Sequence, residues 1–591
     1  MPNESDEQFM QHRLLIASVL SAVALMAYMY VQGPTLNPPE EPAKTEQQVV
    51  VDDPSASTET AEEPAPGASE TPDEPQTPPA EPQSSEVSAE VKAAQSETES
   101  TVETDVFKVV FSNKGAVVKS WVLKDYMNAK RDGELDLVHQ GGANDNGYPF
   151  EIDLPGGNPL TDLNNALFVV SEKPATGSTG PAIVFEYSDA SIHATKAFRF
   201  QKDGYVSRVE SEVTKDGVSQ SHLLTWKGGF GDTAQSQDAL SSATFYYDPT
   251  QGSIERNAAG DAEDERLINT GPYQFAGIND LFFAACFLAT GDAPELRLET
   301  SAVSIVPTEG VAEQNFAAIG IGAPGRNEFD LFMGPKSVDV LGAVRPELKE
   351  IVDFGTYWGF VAEPIFFMLR WTHANVVSNY GWAIIFVACF INFCTFPLKW
   401  KSMKSMKKMQ ALQPLVKQIN DKYKGLSMRD PKKQEQQEEM MALYKKHGVN
   451  PLGGCLPMLL QLPFFIGFYN VLSVAIEMRH AAWLWVPDLS MHEPSAYLRI
   501  LPVAMVLSQF WQQSMSPPTP SADASQMRLM KFMPLMMGFF FWGFSSGLVL
   551  FWLTGNLVGV LQQVLLNRFS SDDVAIEIPR GRKKKKSKAR G

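Results

Sequence analysis

Apolar positions follow two rhythms along this 591-residue chain. Leu14 to Val31 is an uncharged, mostly apolar run of about the length that crosses a bilayer. From Val106 onward the apolar residues come in short runs of strand length, as in Val106 to Phe111 and Ala116 to Leu123, with Asn113-Lys114-Gly115 as the turn between them. Similar runs recur at Ala182 to Tyr187, Ala197 to Gln201, Tyr205 to Val213 and Arg297 to Val306, punctuated by Gly and Asp. Many short strands predict an all-β sandwich domain over 105–342. Pro346 to His373, within a segment assigned to 343–375, is amphipathic and reads as one helix, either lying in a membrane interface or packed on the β domain. Beyond it the runs lengthen: Trp382 to Phe396, Pro451 to Ile476, Tyr497 to Phe510, Phe532 to Phe544 and Leu548 to Leu565. These predict a five-span helical core over 376–570, with a tight hairpin at Gly543 to Gly547. With the first run they make six transmembrane spans. The expected fold class is therefore a polytopic α-helical membrane core carrying an all-β domain.

Charge refines this picture. The net charge is −19, but residues 33–103 alone hold seventeen Asp or Glu against Lys44 and Lys92. That stretch is rich in Pro, Glu, Ser and Thr and has no aromatic residue. It lacks the apolar area needed to offset chain entropy, so 33–104 is expected to be a disordered linker. The run before it ends in Tyr28, Met29 and Tyr30 rather than in small residues, which predicts an uncleaved anchor over 1–32. Basic residues cluster in Lys399 to Lys446 and in the tail 571–591, and the excess of Lys and Arg places both on the cytoplasmic side. Counting spans then puts the β domain and the loop Met478 to Ser495 on the opposite, periplasmic side.

The four cysteines lie apart, with no metal-ligand spacing, and read as small apolar residues. His193 and His222 stand alone, and neither a nucleotide loop nor an acid/base pair emerges. No catalytic residue, cofactor or metal is expected.

More specific residues follow. Met440-Met441-Ala442-Leu443-Tyr444, Val449-Asn450-Pro451-Leu452-Gly453-Gly454-Cys455-Leu456-Pro457 and Gln461-Leu462-Pro463 resemble the YidC family of bacterial membrane protein insertases. Phe532-Met533-Pro534, Ser546-Gly547-Leu548-Val549-Leu550, the Met403, Met406, Met409 spacing and Leu412-Gln413-Pro414 carry the same resemblance. It implies insertion and folding of nascent membrane proteins in the inner membrane, alone or beside the Sec translocon, with ribosomes as partners and a periplasmic β-supersandwich. Two alternatives compete. A transporter or channel is disfavoured because no inverted repeat pairs two halves of the core, and no intramembrane acidic or His pair suggests a proton relay. A carbohydrate-active β module is disfavoured because no acid/base pair is evident.

Candidate sites follow from the resemblance and from polar residues inside spans, which are costly in lipid and face protein or water. The expected groove comprises Asn392, Gln461, Ser508, Gln509 and Asn556 with Leu462, Phe465, Phe551 and Trp552. The bland reading of the polar members is interhelical glue. Met403, Met406 and Met409 in the cytoplasmic hairpin 399–449 could receive apolar client segments, but packing within the hairpin is the preferred reading. Arg582, Lys583, Lys584, Lys585, Lys586, Lys588 and Arg590 suit anionic lipids and ribosomal RNA. The chain departs from the family in one respect. Where the resemblance implies an Arg in the second span, Asn392 stands, and no Lys or Arg lies between Trp382 and Pro397. Ala388, Phe551 and Trp552 likewise occupy positions that are polar in the family. This predicts a groove that works by hydration rather than by charge.

Overall fold

The computed structural model describes residues 91–176, 179–233, 242–290, 295–307, 311–355, 357–424, 431–449, 456–494, 499–515 and 524–569. The N-terminal apolar run, residues 33–90 and the basic tail lie outside them.

The alternating runs become strands of three antiparallel sheets. Glu99–Glu103, Phe107–Ser112, Val117–Met127 and Glu134–Asp136 form one in sequence order. The largest sheet runs, in spatial order, Ser253–Ala258, Ala243–Asp248, Phe275–Asn279, Phe283–Ala289, Asn327–Pro335, Val206–Lys215, Ile192–Gln201, Thr179–Ser188 and Val169–Lys173. The third has Leu267–Gly271, Leu296–Ile305, Gln314–Gly322, Leu223–Trp226, Glu151–Leu154 and Asn158–Pro159. Their inner faces share one core that includes Phe107, Trp121, Phe150, Phe198, Trp226 and Phe287. One expectation needs correction. Residues 91–104 are not all linker: Glu99–Glu103 pairs along Phe107–Ser112, and Lys92 bridges Ser188. An edge strand gains its order from backbone pairing, which polar composition neither reveals nor prevents.

Phe283–Ala289 is buried on both faces. Phe283, Ala285 and Phe287 point into the core between the sheets, while Ala284, Cys286 and Leu288 point the other way. That second face belongs to a second apolar cluster, shared with helical elements: α1 (Val338–Val344), the 3-10 turn Pro346–Ile351 and α2 (Gly359–Asn375). The single amphipathic helix expected over Pro346 to His373 is therefore two elements. They are parted at Gly355, which has φ +90° and lies where any Cβ would meet Asn470 at 2.5 Å. Asn470 fixes the break by donating to the Phe354 carbonyl at 2.8 Å. Leu348 and Ile351 are buried, whereas α2 leaves Phe360, Phe367 and Trp371 exposed.

Helices stand at the five downstream apolar runs: α3 (Tyr380–Ala411), α6 (Leu456–Val474), α7 (Ile500–Met515), α8 (Ala524–Phe540) and α9 (Ser546–Phe569). Asn379 caps α3, its side chain accepting from the Gly381 and Trp382 amides. Among the described residues, two helices are long and apolar enough to cross a membrane, Tyr380–Ala411 and Ser546–Arg568. Between α3 and α6 lie α4 (Gln413–Lys422) and α5 (Pro431–Lys446), joined by Lys422–Glu439 at 2.9 Å and Gln436–Asn420 at 2.8 Å. The hairpin expected from Lys399 thus begins later, because α3 continues unbroken through Pro397 to Ala411.

Candidate functional site

Asn392 sits on α3 with no exposed surface. Its Nδ2 donates to the Ala388 carbonyl at 2.8 Å, one turn back. Its Oδ1 accepts from the Lys399 ammonium at 2.7 Å. Seven residues are two helical turns, so Lys399 lies on the face of Asn392 and its long stem folds back along the helix. The same ammonium reaches Gln461 Oε1 of α6 at 3.2 Å. From α9, Gln562 Nε2 donates to the Asn392 carbonyl at 3.2 Å. Gly555 of α9 faces the pair, since a Cβ there would stand 3.9 Å from both Asn392 Nδ2 and Gln461 Nε2. Three helices thus meet around one cation and three amides.

The geometry divides the predicted residues. Asn392 and Gln461 come together. Phe465 lies against Trp552 and Phe541, with ring centroids 5.2 and 5.7 Å away, and forms an aromatic wall. Trp552 Nε1 is buried without a hydrogen-bond partner among the described residues. Phe551 instead stacks on Phe468 at 4.0 Å inside the core. Leu462 is exposed. Asn556 donates to Ser508 Oγ at 3.1 Å and to the Met505 carbonyl at 3.4 Å, which joins α9 to α7; for this pair the glue reading wins over the groove. Gln509 Oε1 is buried without a partner among the described residues. Met409 packs with Leu412, Val416, Tyr444 and Val449 inside the hairpin, while Met403 and Met406 are partly buried. The basic tail residues Arg582 to Arg590 lie outside the described residues.

From the sequence, Lys399 is only a nearby lysine to which the charge of the groove could have moved, and not one of the expected groove residues. The signal was present as the seven-residue spacing from Asn392, but Lys399 lies just beyond Pro397 and was read as the start of the basic hairpin. The expectation of an uncharged site is corrected accordingly: the cation comes from two turns further along α3. In the β domain, His222 is structural. It is buried, hydrogen-bonded to Ser211 at 2.8 Å and to the Gln220 carbonyl at 3.0 Å, and burial holds its pKa below the usual value.

The chain joins an antiparallel β domain to helices, two of which, among the described residues, are long and apolar enough to cross a membrane, and this suits a membrane protein with an extramembrane domain. Profiles for two protein families match it: "60Kd inner membrane protein" over residues 371–573 and "YidC periplasmic domain" over residues 99–368. The membrane protein insertase YidC of Syntrophus aciditrophicus is 31% identical over 573 residues, covering 95% of this chain and 100% of its own. That of Geobacter sulfurreducens is 30% identical over 481 residues, covering 79% of this chain and 85% of its own. A solved structure described as active YidC insertase with the first transmembrane domain resolved covers 80% of this chain and 94% of its own at 19% identity. Its TM-score is 0.36, at which no detail of that structure transfers to this one. The chain belongs to the YidC family of membrane protein insertases.

Proposed function

We propose that this protein inserts and folds nascent membrane proteins in the inner membrane, alone or with the Sec translocon, through a groove that opens to the cytoplasm. The observation that carries this reading is the Lys399 ammonium held by Asn392 and Gln461 among apolar helices. An ammonium in such surroundings is too costly to persist dry, so the site is a wet recess that shortens the path of a client's polar flank across the bilayer. Its charge favours acidic flanks, and the Phe465–Trp552–Phe541 wall receives the apolar segment that follows.

The chain crosses the membrane six times, through the N-terminal run and α3, α6, α7, α8 and α9. The β domain is periplasmic, and the α4–α5 hairpin and basic tail are cytoplasmic. α2 lies in the interface with Phe360, Phe367 and Trp371 toward lipid. The tail residues Arg582 to Arg590 contact anionic lipids and ribosomal RNA phosphates without sequence preference. Residues 33–90 tether the anchor to the β domain. The test is reconstitution: purified protein in proteoliposomes should protect the translocated tail of a single-span client from added protease. Protein-free vesicles giving equal protection would overturn the reading.

A further inference from the structure

The loop between α6 and α7 enters the β domain. Ile476 belongs to the core between the sheets rather than to the helical core. Three residues on, Arg479 Nη2 meets Asp232 Oδ2 at 2.6 Å, and the two side chains are 2% and 6% exposed. The guanidinium also lies over Phe282 and Phe283, at 5.9 and 5.2 Å from their ring centroids. One carboxylate organises this whole cradle. Asp280 Oδ1 accepts from the Phe282 and Phe283 amides at 2.8 and 2.5 Å, and Oδ2 accepts from the Asp232 amide at 2.7 Å. On the far side of the loop, Arg131 of the β domain donates to the Pro487 carbonyl at 2.6 Å.

We infer that Arg479 is a positioning residue that docks the β domain on the membrane helices and braces the end of α6 opposite Gln461. The apolar part of the seam gives adhesion without direction and tolerates sliding. A buried ion pair does not: displacement breaks a short contact between two charges held away from water, which favours one docked arrangement. The preformed cradle means that little ordering remains to be done when the loop arrives. Through this pair the β domain is a fixed part of the insertase core rather than a module hanging from a linker.

Cys286 is a built-in reporter. It is fully buried, three residues along the strand from Phe283, on the face that meets the helices. In full-length protein with Cys389, Cys394 and Cys455 changed to Ser, the labelling rate of Cys286 by a thiol reagent reads undocking. Arg479→Met takes the guanidinium away from the buried Asp232 carboxylate and should raise that rate about tenfold or more, while the β domain keeps its resistance to trypsin. Adding Asp232→Asn removes both charges and should bring the rate most of the way back, because an absent pair disturbs less than a broken one. Unchanged labelling in Arg479→Met would overturn the proposal. So would effects of the two substitutions that merely multiply, or loss of trypsin resistance, which would assign Arg479 to folding of the β domain instead. None of these readouts depends on insertion, so the proposed activity and the docking stand or fall separately.

Discussion

Replacing Lys399 by Gln tests whether the cation in the groove selects clients. The ammonium is held at 2.7 Å by Asn392 Oδ1 and at 3.2 Å by Gln461 Oε1, both neutral acceptors. A client carboxylate that displaces one of them exchanges a charge–dipole contact for a charge–charge contact. At about 4 Å and an effective dielectric of about 20 the bare attraction is roughly 4 kcal/mol. Loss of the amide contact and desolvation of the carboxylate offset part of it, and a net hydrogen bond to a charged group is about 1.5–3 kcal/mol. A preference of about 1–2 kcal/mol remains, which is roughly 5- to 30-fold in rate between a client with an acidic tail and its Asp→Asn counterpart. Lys399→Gln should reduce this preference to within about twofold, Lys399→Arg should keep it, and added salt should weaken it because the site is wet. Asn392→Ala leaves the charge in place and should preserve the preference with a modest loss of rate. The assay is the initial rate of tail protection in proteoliposomes for matched client pairs. Neutral tails that insert as fast as acidic ones in the unaltered protein, or a preference that survives Lys399→Gln, would refute the reasoning.

Four further substitutions and one topology test follow. Lys196 is wholly buried and donates to the Gly115, Ala116 and Phe150 carbonyls; burial lowers its pKa to about 7 from 10.5. Between those values the unfolded chain binds the proton that the folded chain has released, so β-domain stability should rise with pH over that window. Tryptophan fluorescence during thermal unfolding should show this slope, and Lys196→Met should reduce it to the share of Lys336, whose pKa burial lowers to about 8. Asn556→Leu removes two contacts between α9 and α7 and should lower thermal stability in detergent by about 1 kcal/mol without altering client preference. Met409→Ala opens a gap in the hairpin cluster, where Met409 is 5% exposed, and should cost about 2–3 kcal/mol, read as faster proteolysis of α4 and α5; Met403→Ala should cost much less. Cysteines at Lys417 and Lys433, in protein lacking its own, should resist an impermeant reagent in spheroplasts and react after lysis; labelling before lysis would invert the proposed topology.

The sequence by itself determined the two kinds of region and the family. Short alternating runs such as Tyr205 to Val213 became strands because a pleat turns successive side chains to opposite faces, and that period survives any tertiary context. Long apolar runs became helices, and among the described residues α3 and α9 are the helices long and apolar enough to cross a bilayer. Tertiary structure decided what local pattern does not encode. Glu99–Glu103 looks like more linker until Phe107–Ser112 offers it backbone partners. Asn556 and Gln461 are both polar residues in apolar helices, and only their neighbours make one interhelical glue and the other part of a cation site. Lys399 reads as one basic residue among many until α6 brings Gln461 to its ammonium. Arg479 and Asp232 are 247 positions apart, and nothing in either segment marks them as a pair. Periodicity reports which face of an element is apolar, whereas a polar side chain takes its role from the partner that the folded chain sets within hydrogen-bond reach.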